Sequence, residues 1–222
     1  MLEPQDCPNS QDRRYGGLKY RYKDQKGRLI RLIDPITGTT KAFSTPLHAE
    51  NWVIRNFTPG AVSCDTKPAA FRFRDSTGEH ISVADLVTKF DDGVCIADLV
   101  DDHLPTVKWK WMALQRTTKV YQHVAMLRTQ LDVRCNLLLL FNLDALRQNM
   151  VLYPADDEEI EQVRLCVELG AKSPFEVKKE LKLQRSPELI FSALGHLYRK
   201  RKVFINFAAC TYGQSTRISY VC

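Results

Sequence analysis

Apolar and basic positions alternate through LKYRYKDQKGRLIRLIDPITGT, the period-two pattern of strands, with Lys26-Gly27 where a turn would join two of them. The segment predicts a basic hairpin whose outward face carries Lys19, Arg21, Lys23, Arg28 and Arg31, either solvated or against phosphates. The stretch before it, with Pro, Gln, Asn and Asp, reads as a mobile tail. The period then changes. STPLHAENWVIRNF predicts a helix, with Ser44 or Thr45 as N-cap, Pro46 at the first helical position, and an apolar stripe of Leu47, Val53, Ile54 and Phe57 beside Trp52. Glu50 falls between Leu47 and the Val53/Ile54 pair, which leans it towards the buried side, where a carboxylate needs a partner or a metal. Three strand-like runs follow, AAFRFRD, ISVADLVTKF and VCIADLV, separated by STGE and DDG turn signals. Beyond a polar break at DDHLPT, WMALQRTTKVYQHVAMLRTQL predicts one long helix. The continuous apolar run VRCNLLLLF then predicts a strand buried on both faces, and a short helix follows from Leu143.

The character changes again near Pro154. ADDEEIEQVRLCVELG has an acidic first turn and a glycine stop, and SPFEVKKELK and SPELIFSALGHLYRKRK both open on Ser-Pro caps. VFINFAAC and TRISYVC flank Tyr212-Gly213 as a closing hairpin. Three helices followed by a two-stranded ribbon is the order of a winged helix-turn-helix.

Composition narrows the function classes. With 222 residues, 44% hydrophobic and 26% charged, the chain is an ordinary globular sequence able to bury one good core. A net charge of +6 suits a nucleic-acid partner without demanding one. The seven cysteines are scattered with no C-x-x-C pair, which argues for reduced thiols in a cytoplasm and against a disulfide framework or zinc site. His48, His80, His103, His123 and His196 show no metal spacing, and no serine or cysteine sits in a nucleophile-elbow context. No G-x-x-x-x-G-K-[ST] occurs, so any ATP use belongs to a partner. MLEPQDCPNS is not a secretory signal and NLLLLFNL is too short to span a bilayer, so the expectation is a soluble cytoplasmic protein with no membrane partner.

Two acids carry the candidate chemistry. Asp85 interrupts the apolar alternation of ISVADLV and Asp98 that of VCIADLV, whereas Asp91 and Asp92 occupy the turn, where solvated acids usually lie. Helix with Glu50, strand, strand with Asp85, turn, strand with Asp98, helix, strand is the order of restriction-endonuclease-like nucleases. Carboxylate oxygens suit hard, octahedral Mg2+ or Mn2+, and the metal activates a water in line with the scissile phosphate. On PLHAENWVIRNF, VSCDTKPAAFRFRD, HISVADLV and DGVCIADLV in that order, with the C-terminal module completing the layout, the chain from about Thr45 onward resembles the TnsA family, endonuclease subunits of heteromeric cut-and-paste transposases.

The resemblance implies an α/β fold: a restriction-endonuclease-like core with a C-terminal winged helix-turn-helix domain. It implies metal-dependent cutting of the 5′ ends of a transposon in double-stranded DNA, beside a partner transposase that joins the 3′ ends and an ATPase regulator that binds the C-terminal region. Asp85, Asp98 and Glu50 become the metal ligands. The family's lysine two residues after the second acid is Val100 here, so a working site needs a relocated cation, Lys119 or the pair Lys108 and Lys110. Two other readings stay open: a degenerate nuclease fold kept for DNA binding and partner docking, and an unrelated fold whose acids lie on the surface. The layout divides as 1–44 (tail and basic hairpin), 45–153 (nuclease-like) and 154–222 (winged-helix). From Ala171 to Cys222 there are ten Lys and Arg against three acids, an excess larger than the net +6 of the whole chain. Arg199, Lys200, Arg201 and Lys202 stand where a recognition helix ends and a wing begins. They are candidates for DNA or partner contact, or a solvated helix end.

Overall fold

The computed structural model describes residues 14–15, 18–19, 29–68, 70–101, 104–181, 187–209 and 211–221. The mobile-tail reading, the Lys26-Gly27 turn and most of the basic face read around it lie outside those residues. Strands β1 (Arg14–Tyr15) and β2 (Leu18–Lys19) pair with each other. The expected partner of the IRLI strand changes: β3 (Ile30–Ile33) pairs with β4 (Thr40–Phe43), which follows it. Asp34 makes that turn. Its carboxylate accepts the Ile36 N–H and the Thr37 hydroxyl, both at 3.0 Å, and Gly38 takes a φ of +66°.

Helix α1 (Pro46–Asn56) begins as the sequence dictates, with the Thr45 hydroxyl accepting the His48 N–H at 3.3 Å. Then come β5 (Ala61–Asp65), β6 (Phe71–Asp75), β7 (Gly78–Ser82), β8 (Leu86–Phe90) and β9 (Cys95–Val100). ISVADLVTKF is therefore not one strand: Ile81 and Ser82 finish β7, which pairs with β6, and Asp85 sits in the bend just before β8.

Helix α2 (Leu104–Val120) is shorter than the pattern predicts. Gln122 adopts φ +56° and the His123 N–H returns to the Thr118 carbonyl at 2.9 Å, which closes the helix. VAMLR becomes strand β10 (Val124–Arg128), parallel to β9, because pairing with IADLV outweighs the helical spacing of the run. Sheet order is β10-β9-β8-β5, with β8 antiparallel to β9.

VRCNLLLLF is helix and not strand: α3 (Gln130–Arg134) and α4 (Leu137–Leu152). Asn136 caps α4 by accepting the Leu139 N–H at 2.8 Å, and Leu137 and Phe141 remain 63% and 64% exposed, so the run is not buried on both faces. Helices α5 (Asp157–Glu168), α6 (Pro174–Glu180) and α7 (Pro187–Arg199) follow as expected, then the antiparallel ribbon of β11 (Val203–Ile205) and β12 (Ile218–Tyr220). Among the described residues no helix is long and apolar enough to cross a membrane.

The chain is mixed α/β and divides into two compact units, each drawn from several stretches of the sequence. One comprises 1–30, 43–52 and 62–133; the other comprises 31–42, 53–61 and 134–222. The first has its apolar core on the α2 side of the sheet, where Ala97, Leu99, Phe71 and Ala84 meet Leu114. The core of the second gathers on α7, whose Ile190, Ala193 and Leu194 are fully buried. Gly195 belongs to the α4 contact: a Cβ there would lie 2.5 Å from Met150 Sδ.

Candidate functional site

Strand side chains alternate faces, and the β9–β10 register sorts them. Ala97 and Leu99 with their partners Ala125 and Leu127 pack towards α2, so Asp98, Val100, Met126 and Arg128 share the opposite face. Helix α1 presents His48 and Asn51, one turn apart, to that second face. Asp98 is 0% exposed, and its Oδ2 accepts the Asn51 amide Nδ2 at 3.1 Å. Arg128 Nε donates to Asn51 Oδ1 at 3.1 Å, which completes the chain Arg128–Asn51–Asp98.

Asp85 meets the same helix from the bend. Its Oδ1 lies 3.6 Å from His48 Nε2, and Oδ2 accepts the Val100 N–H at 2.7 Å. The Asp85 N–H donates to the Asp98 carbonyl at 2.8 Å, so the two acids are tied through the backbone. The Thr45 hydroxyl sits 2.6 Å from His48 Nδ1 and holds the ring on its far side. Arg128 also reaches the Asp132 carbonyl at 3.5 Å, and Thr129 hydrogen bonds hold the Asp132 carboxyl below the usual carboxylate range.

Both strand acids read from sequence therefore face one helix. Glu50 is half-buried on α1, the helix whose His48 and Asn51 meet Asp85 and Asp98. Among the described residues no group of three His, Cys, Asp or Glu side chains is spaced to hold a metal ion. Lys119 is exposed in the last turn of α2, and among the described residues no ion pair joins it to an acid. Lys108 is exposed on the same helix and Lys110 lies 5.9 Å from the Trp109 ring centre. Arg128, in register with Val100 on the neighbouring strand, joins this network through Asn51. Sequence reasoning missed it because the long-helix reading of this segment gave Arg128 no strand neighbour. His48 and Asn51 had a fainter signal, the i, i+3 spacing of two polar groups on a helix otherwise mostly buried.

No family model matches this chain, and no curated protein does either.

The C-terminal cations separate into two kinds. Arg199 is buried and its guanidinium is committed: Nε donates to the Asn56 carbonyl at 2.6 Å, and the far nitrogen donates to the Ala61 carbonyl at 3.0 Å and to Asn56 Oδ1 at 3.3 Å. Lys200, Arg201 and Lys202 are exposed, with the Arg201 guanidinium lying over Gly60. Helix α7 itself has no exposed residue, since α4, α5, α6 and β11 all pack on it.

Proposed function

We propose that this chain is a non-hydrolytic, DNA-handling and partner-docking subunit of TnsA-like ancestry. In this reading the restriction-endonuclease-like centre has become a locked polar network, and the winged-helix-like C-terminal segment is a docking module. One observation carries the proposal: Asp98 is wholly buried and its carboxylate takes the Asn51 amide, whose own oxygen takes Arg128. A magnesium centre needs several oxygen ligands with room for water. Here one Asp98 oxygen faces an N–H donor, which cannot ligate a cation, and the Asn51 oxygen is engaged by a guanidinium. The three-acid set Glu50, Asp85 and Asp98 therefore does not fit the metal in this arrangement, and no reaction step is derived through one. The packing of α4, α5, α6 and β11 on α7, which leaves its side chains buried or half-buried, supports docking over base reading, because direct readout needs side chains that reach a groove.

One observation favours the other reading, a metal-dependent endonuclease acting on transposon ends with a partner transposase and ATPase regulator. Asp85 and Asp98 converge on α1 with a cation at hand, and that cation is Arg128 rather than Lys119. Plasmid nicking in Mg2+ or Mn2+, with and without partner subunits, joined to thermal melts of Asp98→Asn, separates the two. A locked network predicts no nicking and a variant less stable by about 1–2 kcal/mol, since a charge-assisted bond network is weakened. Metal-dependent nicking abolished by Asp98→Asn, with a melting point raised by relief of repulsion between two acids, would overturn the proposal.

A further inference from the structure

The four cations of α2 take no part in the network around Asp98, and the helix carries no acid anywhere between Leu104 and Val120. At 3.6 residues per turn, Lys108, Met112, Arg116 and Lys119 fall on one face with Trp109 on its flank, an arc covering roughly a third of the helix circumference. All five are exposed, Trp109 by 58% and Met112 by 45%. From Lys108 to Lys119 the face runs about 16 Å at 1.5 Å per residue, long enough to meet several successive phosphates. Its C-terminal end opens into a recess of about 380 Å³ that brings Arg116, Lys119 and His123 together beside β10. Cations interleaved with one large exposed aromatic ring match the chemistry of a nucleic-acid strand: charge for the backbone and a π-face for an unpaired base. A tryptophan 58% exposed beside three cations suits stacking better than a solvated helix face.

We infer that the outer face of α2 is a nucleic-acid backbone track, with Lys108, Arg116 and Lys119 against phosphates and Trp109 stacking on an unpaired base. This rests on the DNA-handling reading above and assigns it to residues other than the acids and the YRKRK run. The shared chemistry is the phosphodiester backbone; whether it is offered by duplex or by a single-stranded flank is resolved by the ligands used.

The full chain is titrated against a random-sequence duplex and an oligo-dT strand across a range of salt. Replacing Lys108, Arg116 and Lys119 by alanine lowers the log–log salt slope by about 2.7 for the duplex and about 2.1 for the single strand. Trp109→Ala weakens the single strand about tenfold while leaving the duplex within about twofold, and Trp109→Phe restores most of the loss. These side chains are exposed, so the variants melt as the parent does; if the triple variant does not, each single substitution is read for a slope change of about 0.9. Unchanged slopes in a parent that binds DNA overturn the α2 assignment and leave the DNA-handling reading standing. A parent that binds neither ligand at low salt overturns both.

Discussion

Arg199 shows how a residue's neighbours redefine it. In sequence it opens a run of four cations; in the fold its planar fork satisfies two main-chain carbonyls and an amide oxygen that would otherwise be buried unpaired. Arg199→Ala is expected to lower the free energy of unfolding by about 3 kcal/mol, with Arg199→Lys recovering little because an ammonium cannot reproduce the fork. Lys200→Ala and Lys202→Ala should stay within about 0.5 kcal/mol, which urea unfolding midpoints will check. His196, three residues earlier on α7, offers a pH signature. Burial pushes its imidazole from 6.5 down to about 4, Lys200 and Arg199 add to the effect, and Asp157 on α5 opposes it. The folded state thus resists the proton that the unfolded chain accepts. The stability from a neutral His196 is complete above pH 6.5 and is lost as pH falls to about 4. Discounted for the part of the ring that meets solvent, the loss is about 2 kcal/mol. His196→Gln should flatten the melting-temperature profile in that window relative to the parent; parallel profiles would contradict it.

At the scale of the element, capping decides what periodicity leaves ambiguous. Leucine-rich runs fit a buried strand or a helix equally well, and in NLLLLF the Asn136 side chain tips the balance to helix by accepting the Leu139 N–H of the first turn. Asn136→Ala should cost about 1 kcal/mol and fray the start of α4, visible as faster amide exchange at Leu139, whereas Asn136→Ser should be nearly neutral. Local signals read correctly where they were local. The acidic first turn of α5, Ser173 before α6 and the Thr45–Pro46 start of α1 were visible in the residues themselves, though the Asp156–Glu159 capping box that holds α5 was not read. What stayed hidden was long-range. VAMLR is a strand only because IADLV lies beside it, and Arg128 stands near Asp98 only because of that register. Asp85 interrupted an apolar run, as the sequence said, but it does so at a bend, whose carboxylate turns back onto the Val100 N–H. The two acids were therefore legible and their partners were not, since His48, Asn51 and Arg128 are joined to them by the fold alone.

At the scale of the molecule, the second compact unit is built from segments on both sides of residue 153. A cut at residue 153, where the composition changes, would keep α5, α6, α7 and the ribbon but discard α4. That removes Leu146 and Met150, both fully buried, from the surface of α7, where Gly195 admits them at close range. It also removes Asn142, which donates to the Phe207 carbonyl at 2.7 Å and accepts the Tyr212 N–H at 2.9 Å, and so pins the loop between β11 and β12. Arg199 would lose Asn56 and Ala61 in the same cut. Each large apolar side chain returned to water costs about 1.5–3 kcal/mol, and a domain has only about 5–15 kcal/mol of stability to lose. The fragment 154–222 is therefore expected to lack a cooperative thermal transition and to show poorly dispersed amide resonances, with exposed α7 driving self-association. Adding back 134–153 should restore helix packing but not the Arg199 ligands, giving a fragment that melts well below the full chain. A fragment 154–222 that unfolds cooperatively at the temperature of the intact protein would show that α4 merely rests on α7 and that the C-terminal helices carry their own core.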